Sequence, residues 1–248
     1  MAISRYFETF ALEDFPLVRQ GDDLADFIIP YGPQTGDIIV IAQKVVSKSE
    51  GRLVSLSTVS PSQQAHRFAD ITGKDPRLIE LILNESTNVM RAVPGMMIVE
   101  HHLGFIMANA GIDASNVGSS DQVLLLPEEP DKSAWLLVES IKSKTGATVG
   151  VVVTDSWGRP WRLGTVGFAI GVAGITALKD MRGEKDLDGR VLEATQIATA
   201  DELAAAASLI MGQADEGQPV VVIRGLSLSP DDGKAADLVR PAETDQFR

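Results

Sequence analysis

The chain contains no cysteine. That excludes a disulfide framework, a thiolate metal site and a thiol nucleophile. It suits a reducing compartment, and the expectation is a cytoplasmic protein. The first residues, Met-Ala-Ile-Ser-Arg, lack the basic segment and apolar run of a secretion signal. Long hydrophobic runs are missing too. The most apolar stretch, Gly164 to Leu178, is too short and too broken by glycine to span a bilayer, so no membrane is expected. Positive charge is scarce: 22 Lys and Arg face 34 Asp and Glu, for a formal net charge of −12. Phosphates would be repelled over most of such a surface, so nucleic acid is not expected as a partner. An anionic ligand would have to be met locally, which makes each basic cluster informative.

Several catalytic signatures are absent as well. No G-x-x-x-x-G-K-S/T phosphate loop occurs, since Gly73-Lys74 lacks the earlier glycine and the following hydroxyl. Neither a G-x-S-x-G elbow nor H-E-x-x-H occurs, which argues against serine hydrolysis and zinc peptidase chemistry. The glycine-rich run 164–174 has neither the spacing nor the context of a dinucleotide-binding turn. Its glycines instead permit close backbone approach. No internal repeat, low-complexity segment or clear linker is present.

What remains is ordinary globular material. With 248 residues, 44% hydrophobic and 23% charged, the chain can bury a large core as one domain or two interleaved ones. Ile38–Ala42, Gly104–Met107, Val123–Leu126, Val149–Val153 and Pro219–Gly225 read as buried strands. Asn88–Val93 and Met96–His102 read as strands joined at Pro94-Gly95. Helical patterns cover Leu24–Ile29, capped by Asp22 or Asp23, then Gln63 to about Ile71, then Leu78–Leu83 behind the Asp75-Pro76 start. Another opens at Pro130, places 135, 137, 138 and 141 on one apolar face, and stops at Gly146. Thr199-Ala-Asp-Glu202 has the form of a capping box. It either starts a helix from Leu203 to Met211 or interrupts a longer one from near Leu192. Segments 178–183 and 186–190 look like loops, and the polar tail from Ser229 is expected to be mobile. The irregular order of strands and helices gives an α/β (α+β) fold with mixed sheets and flanking helices.

Chemistry concentrates at a few places. The strand ending at Met107 opens into Ala-Asn-Ala-Gly-Ile-Asp-Ala-Ser-Asn-Val117, and the strand ending at Val153 delivers Thr154-Asp155-Ser156. Asp113 and Asp155 at the ends of two strands are candidate oxygen ligands for a divalent cation; otherwise they start turns or cap helices. Lys44, Lys48 and Arg52 follow the strand 38–42 and form either a phosphate cradle or a solvated edge. Trp157-Gly-Arg-Pro-Trp-Arg162 holds two Trp and two Arg in six residues, which suits a planar or phosphorylated ligand or a packed loop. His101 and His102 are adjacent, so on a regular strand they face opposite sides and cannot share one metal. They read as structural, as does the isolated His66.

Four segments, taken together and in order, carry a resemblance. Phe15-Pro-Leu-Val with Gly21-Asp-Asp-Leu, Gly36 through Arg52, Ala108 through Val117, and Val153 through Arg162 resemble the coenzyme F420-0:L-glutamate ligase family. The resemblance implies a GTP-dependent ligase that joins L-glutamate to the carboxylate of the phospholactyl deazaflavin F420-0 through an acyl phosphate. It implies Mg2+ or Mn2+, with potassium as a further cation, and a two-part fold in an intertwined homodimer. A C-terminal nitroreductase-like domain, present in some relatives, is not expected here. By position, Phe15, Pro16, Leu17, Val18, Gln43, Lys48 and Asn116 would contact the nucleotide. So would Met211, Gly212, Gln213, Ala214, Asp215, Glu216, Gly217 and Gln218. Asp113 and Asp155 would be the catalytic metal carboxylates, with Ser156 and Gln213 at a second metal. Arg159 and Arg162 are added from their chemistry alone, as contacts to ligand phosphate or carboxylate. Competing readings are a related ligase acting on another carboxylate and a non-catalytic nucleotide-binding module.

Overall fold

Apolar strands that are short and continuous need cover on both faces, and the chain supplies it with helices. The computed structural model describes residues 6–115, 121–226 and 231–245. In chain order the elements are β1 (Glu8–Ala11), α1 (Leu24–Ile28), β2 (Ile38–Ala42), α2 (Gln43–Ser49), β3 (Leu53–Ser55), α3 (Gln63–Thr72), α4 (Pro76–Asn84), β4 (Ser86–Val93) and β5 (Met96–His101). There follow β6 (Ile106–Ala108), β7 (Gln122–Leu124), α5 (Pro130–Thr145), β8 (Gly150–Arg159), β9 (Arg162–Ala173), β10 (Lys179–Asp180), β11 (Gln196–Ile197), α6 (Thr199–Met211) and β12 (Val220–Arg224).

Five strands form the main sheet in the order β1-β12-β2-β8-β9. Only the β2–β8 pair is parallel. Ala42 at the end of β2 stands opposite Thr154 on β8, so the chemistry-bearing residues that follow both positions emerge at one end of the sheet. A second unit joins β4, β5 and β6 antiparallel, with α3 and α4 against it, around its own small core of Ala65, Ile79, Ile82, Met97, Val99 and Ala110. β3 pairs with β7 beside it. The fold is mixed α/β, as expected.

The glycines of β9 set the helix packing. A register shift near Thr154 puts Gly171 opposite Val153 and Gly167 opposite Ser156, on opposite faces of the hairpin. A Cβ at Gly171 would lie 2.3 Å from the Pro130 carbonyl of α5, and one at Gly167 would lie 2.4 Å from the Ala204 carbonyl of α6. The two helices therefore grip the hairpin from its two sides. β9 is also one of the two edges of the sheet. Asp131 accepts from Val172 N–H (2.7 Å) and Asp201 from Ala169 N–H (2.9 Å), which blunts that edge.

Several expectations need correction. β8 continues through Arg159, because backbone pairing with β9 goes on after the apolar residues end; Asp155 is therefore mid-strand. Trp157 to Arg162 is the end of that hairpin. Of the 104–107 run only Ile106 and Met107 are strand, in β6 (Ile106–Ala108), where Met107 alone is buried. In α5 Ala134 is buried while Trp135 is 54% exposed. Thr199 is the first residue of α6 rather than its cap, and Asp201 is drawn to β9 instead. Lys179–Asp180 and Gln196–Ile197 pair as a short ribbon, so 178–183 is not wholly loop. Within the tail, most of residues 231–245 are exposed, but Ala235 is 1% exposed and donates its N–H to Asp131 (2.9 Å). Among the described residues no helix is long and apolar enough to cross a membrane.

Candidate active site

The segment after β2 does not continue extended. It turns into α2, with Lys44 and Lys48 one helical turn apart. Lys44 Nζ reaches Asp113 Oδ2 and Ser115 Oγ, each at 2.7 Å. Asp113 is fixed in turn by a backbone bridge to Leu124 and by the N–H of Ser115 on its other oxygen (2.6 Å). Burial alone would push the Asp113 carboxyl up; the Lys44 and Ser115 hydrogen bonds and the Lys44 charge hold it below the usual range. Burial, reinforced by Lys44 and partly offset by Asp113, pushes the Lys48 ammonium down.

Asp155 is in a different state. Some of the residue's surface remains accessible, but protein atoms crowd its carboxyl. Desolvation pushes it up to about 7; the N–H of Ser156 opposes this, the Asp113 charge adds to it, and the Lys44 charge opposes it. Among the described residues Asp155 forms no ion pair. One residue on, Ser156 Oγ donates to Gln213 Oε1 at 2.8 Å, across from the loop that follows α6. Asp113 and Asp155 offer a pair of carboxylates, and a crowded carboxylate without an ion-pair partner is a place where a hard divalent cation fits, whereas Ser156 and Gln213 pair their oxygens on the opposite face of β8. Mg2+ or Mn2+ matches that chemistry.

Gln43 begins α2 and is buried; its Oε1 accepts from Ser47 Oγ at 3.0 Å, while its Nε2 is buried without a partner among the described residues. Phe15 leans edge-on against Phe27 at 6.0 Å, and Leu17 is 91% exposed. The stretch carrying Phe15, Pro16, Leu17 and Val18 runs from Leu12, bonded to Val220 at the start of β12, to Gly21, bonded to Ser49 at the end of α2. Residues 211–218 connect α6 to β12 and so reach the same end of the sheet. Within them Glu216 folds back to accept from Ala214 N–H (2.8 Å).

These segments are matched from residue 14 to residue 225 by the family model for F420-0:Gamma-glutamyl ligase. The chain belongs to this family. It is 45% identical over 246 residues to the coenzyme F420:L-glutamate ligase of Methanocaldococcus jannaschii, covering 98% of both chains. The enzyme of the same name from Methanothermobacter thermautotrophicus is 47% identical over 245 residues, covering 96% of this chain and 97% of its own. That of Methanopyrus kandleri is 46% identical over 248 residues, covering 97% and 98%.

As an F420 ligase homologue, the chain carries most of its expected site residues to one end of the main sheet. Asn116 lies outside the described residues. Arg159 sits near the far end of the β8–β9 hairpin, where its Nη1 donates to the Gly164 carbonyl (3.3 Å), and Arg162 is exposed. Neither touches Asp113 or Asp155 in the contacts observed. Sequence reasoning singled out Lys44 for its charge but missed its bond to Ser115, 71 residues away, because such a separation leaves no local signal.

The two histidines do not behave as a regular strand predicts. β5 ends at His101 and the chain turns back at Gly104, so the rings of His101 and His102 lie 4.1 Å apart, and both approach Glu85. Potential ligand atoms of the three converge within 4.8 Å. Two contacts weigh against a metal there. Leu103 N–H donates to His101 Nδ1 (3.1 Å), which leaves the ring proton of the neutral form on Nε2, and Arg52 already meets Glu85 at 2.8 Å.

Proposed function

We propose that this chain is a GTP- and divalent-cation-dependent ligase that joins L-glutamate to the carboxylate of F420-0. The γ-phosphoryl of GTP passes to the acceptor carboxylate, giving an acyl phosphate and GDP. The glutamate amine then attacks the acyl carbon, phosphate leaves, and the amine proton is lost to solvent or a base. The observation that carries this reading is the approach of Lys44, Asp113 and Asp155 where β8 runs on past the end of β2, together with membership of the family. Phosphoryl transfer needs positioning and charge neutralisation rather than a protein nucleophile, and this site offers cations, oxygen donors and no thiol.

The residues divide the work by chemistry. Asp113 and Asp155 would hold a divalent cation, which neutralises phosphate charge, and Ser156 with Gln213 would hold a second. Lys44 and Lys48 meet phosphate oxygens. Phe15 to Val18, Gln43, Asn116 and the loop from Met211 to Gln218 surround the nucleotide. Potassium as a further cation, a homodimer and a cytoplasmic location belong to the same proposal.

The test is one incubation of the protein with GTP, L-glutamate, Mg2+ or Mn2+ and F420-0, read by mass spectrometry. The expected result is a product heavier by one or more glutamyl units, with GDP released. Asp155→Asn should abolish turnover while the melting curve of the metal-free protein stays cooperative. GTP hydrolysis without a glutamylated product would redirect the assignment to a ligase acting on another carboxylate.

A further inference from the structure

The face of the hairpin that carries Asp155 also carries an aromatic pair. Phe168 is the register partner of Asp155, and Trp157 follows Asp155 by two residues, which returns it to the same face. Their rings stack with centroids 4.6 Å apart and planes 11° from parallel. Phe105 closes on Trp157 at 5.9 Å. Beside these three rings lies a cavity of about 230 Å³, covered by the C-terminal segment through Val239 and Arg240 and also lined by Asp201. None of these aromatic residues is used by the phosphoryl-transfer site.

We propose that this cavity takes the planar fused ring of the acyl acceptor, an assignment that rests on the ligase reading above. Three observations agree on that ligand class. The cavity is smaller than the roughly 300 Å³ of pockets that hold whole ligands, so it suits a ring and not a complete nucleotide-like molecule. Its floor is a stacked aromatic pair, which favours another flat π-system over an aliphatic chain. Its polar lining sets the Arg240 donor fork beside the carboxylates of Asp201 and Asp245, matching a ring edge that bears both C=O and N–H groups. Because Phe168 and Asp155 are cross-strand neighbours, a ring seated here leaves its carboxylate-bearing arm to extend along the hairpin toward the Asp113–Asp155 pair.

The test separates this assignment from the reaction itself. Trp157→Leu and Arg240→Gln are compared with wild type by steady-state kinetics with F420-0, GTP and L-glutamate each varied, and by equilibrium dialysis of F420-0 without GTP. The expected result is a rise of about tenfold or more in the KM and Kd of F420-0, at the lower end of base–aromatic stacking effects, with the KM values of GTP and glutamate within about twofold of wild type. Should Trp157→Leu fail to fold, Arg240→Gln, on an exposed side chain, carries the test alone. If wild type glutamylates F420-0 and the folded variants keep its KM and Kd, the cavity assignment is overturned while the ligase stands. If wild type forms no such product, the ligase reading fails and the cavity assignment falls with it.

Discussion

Lys44 and Asp113 form an ion pair at 2.7 Å, and each is about 30% exposed at its side chain. A half-exposed pair of this kind adds little to stability, on the order of 0–1 kcal/mol. Its value lies in holding an ionised carboxylate and an ammonium side by side at the end of β2. Lys44→Met should therefore lower kcat/KM for GTP by at least about tenfold while shifting the melting temperature of the ligand-free protein by no more than a few degrees. Kinetics with GTP varied, beside a thermal melt, check both halves. A variant with wild-type kcat/KM would reduce the pair to a surface contact.

Gly171 faces the Pro130 carbonyl so closely that even one methyl group has no room. Overpacking of this sort costs about 1–3 kcal/mol, because α5 must move away from β9. Gly171→Ala should lower the urea midpoint accordingly. Gly158, whose added Cβ would meet nothing within 4 Å, is the control in the same hairpin, and Gly158→Ala should change the midpoint little.

Much of the fold was legible because local rules were enough to write it. Ser62 and Asp75 cap α3 and α4, Pro76 starts α4, and Gly146 ends α5 in the left-handed conformation, each as its residue type dictates. The apolar runs at 38–42 and 220–224 became central strands. What was not legible depends on partners far away in sequence. Asp155 stayed inside β8 because β9 continued to pair with it. Thr199 fell inside α6, whose cap residue is Ala198, and Asp201 reached across to the Ala169 N–H of β9. Ala235 in the tail was held by Asp131, 104 residues earlier. At the site, residue types were readable, whereas the Lys44–Asp113 bond and the Ser156–Gln213 bond are products of tertiary packing.

Arg224 at the end of β12 meets the turn before β2. Its guanidinium donates from Nε and one Nη to the two oxygens of Asp37, both at 2.7 Å, and lies 5.4 Å from the Phe10 ring centroid. Asp37 is only 2% exposed and also accepts the N–H of Gln34. Removing the arginine leaves a buried carboxylate without its countercharge, which costs about 3–5 kcal/mol. Arg224→Ala should fold weakly or not at all, whereas Asp37→Asn with Arg224→Ala should recover part of the loss. Chemical denaturation of both proteins measures this, and equal destabilisation would show that the charge on Asp37 is not the cause.

His101 provides the pH-dependent case. Burial, then the neighbouring His102 and the Arg52 guanidinium, push its pKa from 6.5 down to about 3, while Glu85 at 3.7 Å is the nearby carboxylate. The folded protein thus binds fewer protons at this ring than the unfolded chain does. Stability held by neutral His101 is fully present above pH 6.5 and is lost as pH falls from there toward about 3. His101→Asn keeps an acceptor for the Leu103 N–H but has no proton to take up. At about pH 7.5 the variant should be less stable than wild type, through lost packing. At about pH 4.5 the difference should shrink or reverse, because only wild type suffers the histidine penalty. Urea midpoints at the two pH values report this directly. A wild-type advantage that is the same at both would mean that His101 is no more averse to protonation in the fold than in the unfolded chain.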